Sequence, residues 1–284
     1  MCIRDSFQVM HGAMAFFHAC KKEGIRPIFG MEVEIVEEDT YRFILLAMDD
    51  VGFQSLLRLS TMLNIEEKKI TLDDIHRAKE HLIVMTSGEG STLETHLINE
   101  QMDLCERYLQ RCKQLFRHFY VSVALNDSGL MKLKNQLLKK VCTECLISTA
   151  ALSRVYFARE EDEESYKTLC AIDQGVSLQD KTLNYSPHRF FRTQEEMAAL
   201  YDKEDLEATK KIASMCNVMM EFEKVKLPSF KNKAHTDSET YLRGLSYKGL
   251  QKRMHYQKIP EVYMERLRYE LDVITQMDYS DYFL

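Results

Sequence analysis

Apolar residues recur along the chain at two spacings, and the alternation between them outlines the fold. Met10, Ala13, Met14 and Phe17 stand at helical intervals, and Gly24 followed by Pro27 supplies a C-cap and a breaker. A strand is then expected from Ile28 to Ile35, where Val33 and Ile35 alternate with Glu32 and Glu34. The acidic turn Glu37 to Thr40 leads into a second strand, Arg42 to Met48. Asp49 or Asp50 can cap a helix marked by Phe53, Leu56, Leu57 and Leu63. Strands follow at Leu82 to Thr86, Phe119 to Leu125 and Leu146 to Ala151. Between them lie helices at Ser91 to Asn99, Met102 to Phe116 and Leu130 to Cys145. Nearly continuous apolar strands separated by helices imply a mostly parallel sheet covered by helices, open or closed as a barrel.

From about Glu160 the strand pattern stops. Helices are expected at Glu161 to Ile172, at Thr193 to Tyr201 with a Thr193/Glu196 capping box, and at Leu206 to Asn217. Lys224 to Ala234 is polar and extended around Pro228, which makes it a domain boundary. Two amphipathic helices close the chain, Ser238 to Met254 and Glu261 to Met277, the second with Pro260 at its start. Met1 to Ser6 fit no periodic element, so a non-native leader is expected there, fused to a chain whose true beginning is missing.

A length of 284 residues that are 45% hydrophobic and 29% charged allows one full core plus an appendage. The net charge of -6 gives no surface-wide positive field, so nucleic-acid contact would be local. Eight scattered cysteines, with no signal peptide and no bilayer-length apolar run, read as a cytoplasmic, reducing setting without a membrane partner.

Three stretches carry a resemblance. VMHGAMAFFHACKKEGIRPIFGMEVEI (Val9 to Ile35), the segment Ser165 to Phe230 with YKTLCAIDQGVSL, FRTQEEMAALY, IASMCNV and KLPSF, and the closing ERLRYELDVITQMDYSDYFL occur in the order found in bacterial DNA polymerase III alpha subunits. They resemble in particular the short form of low-GC Gram-positive bacteria, and TSGEGSTLETHL (Thr86 to Leu97) is the best match in the middle. The resemblance implies an α/β fold: an incomplete PHP-type distorted β/α barrel, followed by an all-helical segment leading into the polymerase palm. It places the PHP domain at 7–222, after the leader at 1–6, and the helical linker with the start of the palm at 223–284. It implies DNA and dNTPs as partners of the parent, a sliding clamp among its replisome subunits, and two Mg2+ ions held by carboxylates downstream of the D-Y-F-L segment.

Active PHP domains resemble phosphoesterases whose His, Asp and Glu ligands gather divalent ions to make a hydroxide nucleophile. This chain has no H-x-H, and Phe7 and Gln8 stand where the family's D-H pair ends. Glu32, in G-M-E-V, falls on a glutamate ligand of the family, and Arg154, Val155 and Tyr156 align with its D-x-H pair. A guanidinium in the slot of a carboxylate opposes metal entry, and Arg154 can instead pair with Glu32. The vestigial positions Glu32, Arg154 and Tyr156 are therefore expected to hold no functional metal, and the segment to supply no catalytic or cofactor-binding group.

The residues alone leave blander readings open. A single glutamate on a strand edge is ordinarily solvated. The nine histidines show no ligand spacing, and Cys142 and Cys145 form a C-x-x-C without the second pair a zinc site needs. The run Glu160 to Glu164 suits a helix N-terminus, and Lys248, Lys252 and Arg253 line part of one late helix where they could touch phosphate. The alternatives are an active PHP phosphoesterase or 3'-5' exonuclease, and a free-standing PHP-like interaction module.

Overall fold

The computed structural model describes residues 2–125, 128–220, 228–230, 237–255 and 257–284, with backbone alone at 2–6. It divides into two compact units, Met1–Met220 and Glu221–Leu284.

The first unit is built on six strands in the spatial order of the chain: β1 (Cys2–Phe7), β2 (Pro27–Val36), β3 (Thr40–Ala47), β4 (Leu82–Thr86), β5 (Phe119–Val123) and β6 (Thr149–Ala151). β1 corrects the sequence reading, because residues assigned to no element pair in parallel with β2 from Cys2 opposite Pro27 to Phe7 opposite Glu32. The expected mostly parallel sheet is mixed. β1–β2, β4–β5 and β5–β6 are parallel, whereas β2–β3 and β3–β4 are antiparallel. The Glu37 to Asp39 turn is too short for a parallel crossover, so β3 must run back along β2.

The helices of this unit are α1 (Ala13–Lys22), α2 (Asp50–Asn64), α3 (Leu72–His76), α4 (Thr92–Ile98), α5 (Met102–Leu115), α6 (Gly129–Glu144), α7 (Glu163–Gln174), α8 (Gln194–Leu200) and α9 (Lys203–Met215). α1 ends at Gly24, whose φ of +65° permits a Schellman closure: Ile25 N–H reaches Cys20 O at 2.8 Å and Gly24 N–H reaches Lys21 O at 3.2 Å. α3 escaped the periodicity because it is a single turn. It is fixed by a capping box in which Thr71 and Asp74 satisfy each other's backbone N–H groups.

Alternation along the strands produces two cores. On one face Phe29, Met31, Val33, Phe43, Leu45 and Val84 meet the buried sides of α1 to α6. On the other, Ile28, Ile44, Leu46, Ile83 and Tyr120 are covered by Ile212, Ala213 and Cys216 of α9 and its end. With both faces buried, the strands are apolar almost throughout, and Glu32 is the exception among the buried positions of β2.

In the second unit α10 (Ser238–Arg253), α11 (Glu261–Gln276) and α12 (Ser280–Phe283) bury Leu242, Leu271 and Ser280. Arg243 of α10 reaches Asp272 of α11 at 2.8 Å and Thr275 at 3.3 Å. Most of the polar stretch Lys224 to Ala234 lies outside the described residues; Pro228, Ser229 and Phe230 are neither helix nor strand.

Candidate functional site

Glu32 follows Ile28 and Gly30 on β2 at the two-residue period, so its carboxylate belongs to the face covered by α9. It is 4% exposed and paired on both sides by β1 and β3, which corrects the reading of a solvated glutamate on a strand edge. A buried carboxylate must be paired. Arg154, just after β6, supplies the partner with a bidentate fork: Nη2 donates to Oε1 at 2.8 Å and Nη1 donates to Oε2 at 3.0 Å.

β2 and β6 are four strand positions apart, about 19 Å across a flat sheet. Arg154 lies three residues past the end of β6 and bonds Ser87, just past β4, on its way to Glu32 of β2.

Three more groups complete the cluster. Arg154 Nη2 donates to Ser87 O at 3.1 Å, and its Nε lies 3.1 Å from Glu89 Oε1. Arg42 Nε sits 3.1 Å from Glu32 Oε1 but off the hydrogen-bonding direction, so its contribution is Coulombic. The Arg42 guanidinium also lies over the Phe7 ring, 5.0 Å from its centroid. The S-G-E-G-S turn makes this possible. Gly88 and Gly90 adopt φ of +81° and +76°, and a Cβ on Gly90 would stand 2.6 Å from Arg42 Nη1.

Two guanidinium groups face two carboxylates, Glu32 and Glu89, so the formal charge of the cluster cancels. Burial disfavours the charged form of Arg154, yet the double hydrogen bond to Glu32 and the charges of Glu32 and Glu89 outweigh it and raise its pKa above the ordinary arginine value. Arg154 therefore stands in the site as a guanidinium cation.

The divalent ions that PHP domains hold do not fit this arrangement. Both oxygens of Glu32 are occupied by one guanidinium, and a neutral cluster offers a divalent ion no net attraction. Among the described residues no group of three or more His, Cys, Asp and Glu could hold a metal. Tyr156 does not join the pair. It is 45% exposed, its N–H bonds Arg189 O at 2.8 Å, and its ring stacks on Tyr166 at 5.5 Å.

The remaining candidates resolve into structural parts. Cys142 and Cys145 are buried at the end of α6, and burial pushes the Cys142 thiol up to about 12, far from the thiolate that metal or redox chemistry uses. Glu160 to Glu164 form a single turn of 3-10 helix and the start of α7. His76 bonds Leu115 O at 2.7 Å and His81 bonds Asp49 at 2.7 Å. The contributions of Arg42, Ser87 and Glu89 were not read from the sequence. The visible signal was the pair of glycines flanking Glu89, which demand a turn that only tertiary contacts can place.

Comparison with known proteins agrees with the geometry. The PHP domain family matches residues 1–127, and the bacterial DNA polymerase III alpha NTPase domain family matches residues 240–284. The chain is 34% identical to the DNA polymerase III subunit alpha of Bacillus subtilis over 97% of its length and 25% of that protein. The corresponding proteins of Halalkalibacterium halodurans and Pseudomonas aeruginosa are 30% and 29% identical, again over 97% of this chain and 25% of theirs. The chain thus spans about a quarter of the length of the curated relatives it matches. With a PHP match on residues 1–127, a polymerase match on the helical unit and similarity along nearly its whole length, the chain is similar to about a quarter of a bacterial DNA polymerase III alpha subunit.

Proposed function

We propose that the first unit is a PHP scaffold whose metal site has been replaced by the Glu32–Arg154 ion pair, within a protein that copies DNA by template-directed nucleotidyl transfer. The bidentate pair carries the first half of this reading, because one guanidinium takes both ligand oxygens of the retained glutamate. Similarity over 97% of the chain to DNA polymerase III alpha subunits supports the second half.

Nucleotidyl transfer uses two Mg2+ ions that stabilise the attacking and leaving oxygens. By family resemblance the carboxylates for those ions lie beyond the D-Y-F-L segment, so residues 1–284 contribute support and no catalytic group. DNA, dNTPs and a sliding clamp are the partners of this reading, and the cytoplasm is its compartment. No helix among the described residues is long and apolar enough to cross a membrane.

Two assays of the complete protein test the reading. Primer extension on a DNA template should proceed with dNTPs and Mg2+, and a 3'-labelled strand should not be shortened by the PHP domain. Loss of a metal-dependent exonuclease activity in Glu32→Gln, with extension intact, would overturn the scaffold role and favour the phosphoesterase alternative.

A further inference from the structure

Between Thr240 and Pro260 the chain carries five Lys or Arg and no Asp or Glu, in a protein of net charge -6. Arg243 is neutralised by Glu239 at 3.0 Å and Asp272 at 2.8 Å. Lys248, Lys252, Arg253 and Lys258 are exposed, and none forms an ion pair with another described residue. Gly244, Lys248 and Lys252 follow one another at four-residue steps, and Leu245 and Gly249 form the adjoining row, so all five share one exposed side of α10.

The two glycines are the second observation. Glycine inside a helix is unfavourable relative to alanine, and an internal site usually repays this by close packing. Here a Cβ at Gly244 or Gly249 would meet no atom within 4 Å, and neither has a left-handed φ. Nothing within the described structure uses the missing side chains. A bare helix surface flanked by unpaired lysines lets an anionic chain approach the backbone closely.

We propose that the exposed side of α10, from Gly244 to Lys252 with Arg253 and Lys258 beside it, binds the phosphodiester backbone of a nucleic acid. Lys252 and Arg253 also complement the negative end of the helix dipole, which accounts for two of the cations and for neither Lys248 nor the glycines. Lys258 extends the surface into a shallow cleft of about 440 Å³ whose lining includes Gln251 and Gln257, side-chain amides able to bond phosphate oxygens, and the Glu261 carboxylate, which opposes phosphate but is paired with Arg268 at 3.4 Å. Charge and packing carry this inference without the polymerase reading, so its failure would leave that reading in place.

The test titrates the 284-residue chain against labelled single-stranded and duplex DNA by fluorescence anisotropy at several salt concentrations. Log affinity should fall linearly with log salt. The Lys248→Gln/Lys252→Gln/Arg253→Gln variant should flatten the duplex slope by about 0.9 for each phosphate that is no longer neutralised. The same charge loss at Lys203, Lys210 and Lys211 of α9 should leave the slope unchanged. Gly244→Ala/Gly249→Ala should raise the thermal midpoint yet weaken binding several-fold, and this variant keeps the test decisive if the glutamine variant folds poorly. Equal loss from the α9 variant, unchanged binding in the alanine variant, or binding to phosphatidylserine vesicles but not to DNA would each overturn the proposal.

Discussion

At the residue scale, Arg154 and Glu32 stabilise the first unit only as a pair. Removing one member of a buried ion pair strands a charge and typically costs about 3 to 5 kcal/mol. Arg154→Met should therefore lower the urea unfolding free energy by about 3 kcal/mol, since Arg42 still faces the abandoned carboxylate. Glu32→Gln/Arg154→Met should recover part of that loss, because no unpaired carboxylate remains. Equal destabilisation by the single and double variants would show that packing matters and charge does not. Asp49 makes a different kind of contribution. Burial would raise its pKa, but hydrogen bonds from Gly52 N–H and His81 outweigh burial and hold it below the usual carboxylate value. A carboxylate whose folded pKa is depressed stabilises the native state above its unfolded pKa of about 3.9, and that contribution is lost as pH falls through the folded value. Asp49→Asn should keep the α2 cap but flatten the loss of stability below about pH 4; an unchanged acid limb would contradict the linkage. Glu32 itself was legible as a position and not as an environment. Its neighbours Val33 and Ile35 announced a strand, while the burial that forces pairing arises from β1 and β3 on either side.

At the scale of elements, the periodic helices and the apolar strands were readable because each carries several turns or a run of apolar residues. β1 was not, since a parallel partnership with β2 depends on residues some 25 positions away and leaves no local period. α3 spans five residues, too few for a helical period, although the Thr71 to Asp74 spacing of its capping box was present in the sequence. The pairing of Arg154 with Glu32 was foreseen from a residue alignment, while the burial of the pair depends on the strands on either side of Glu32. One glycine tests how tightly these elements dock. A Cβ at Gly52 of α2 would stand 2.2 Å from His81 O, a backbone atom that cannot swing aside. Gly52→Ala should cost about 3 kcal/mol, the upper end of overpacking penalties, with α2 displaced from the start of β4. A thermal midpoint within a degree of the parent would refute the close approach.

At the scale of the whole molecule, two compact units divide the work proposed here: a six-stranded sheet carrying a neutral four-charge cluster, and a helical unit with a basic face on α10. The net charge of -6 does not reveal that face, whose Lys248, Lys252 and Arg253 were legible only as a local run in the acid-free stretch from Thr240 to Pro260. Family resemblance supplied the proposed division of labour, and the buried Glu32–Arg154 pair supplied the reason for proposing a PHP unit that supports rather than cuts. Calorimetric titration of the 284-residue chain with Zn2+ and with Mn2+, run beside its Glu32→Gln variant, addresses that reason most directly. The account predicts no tight stoichiometric binding and the same heats for both proteins; a one-to-one, tight complex that disappears in Glu32→Gln would contradict it.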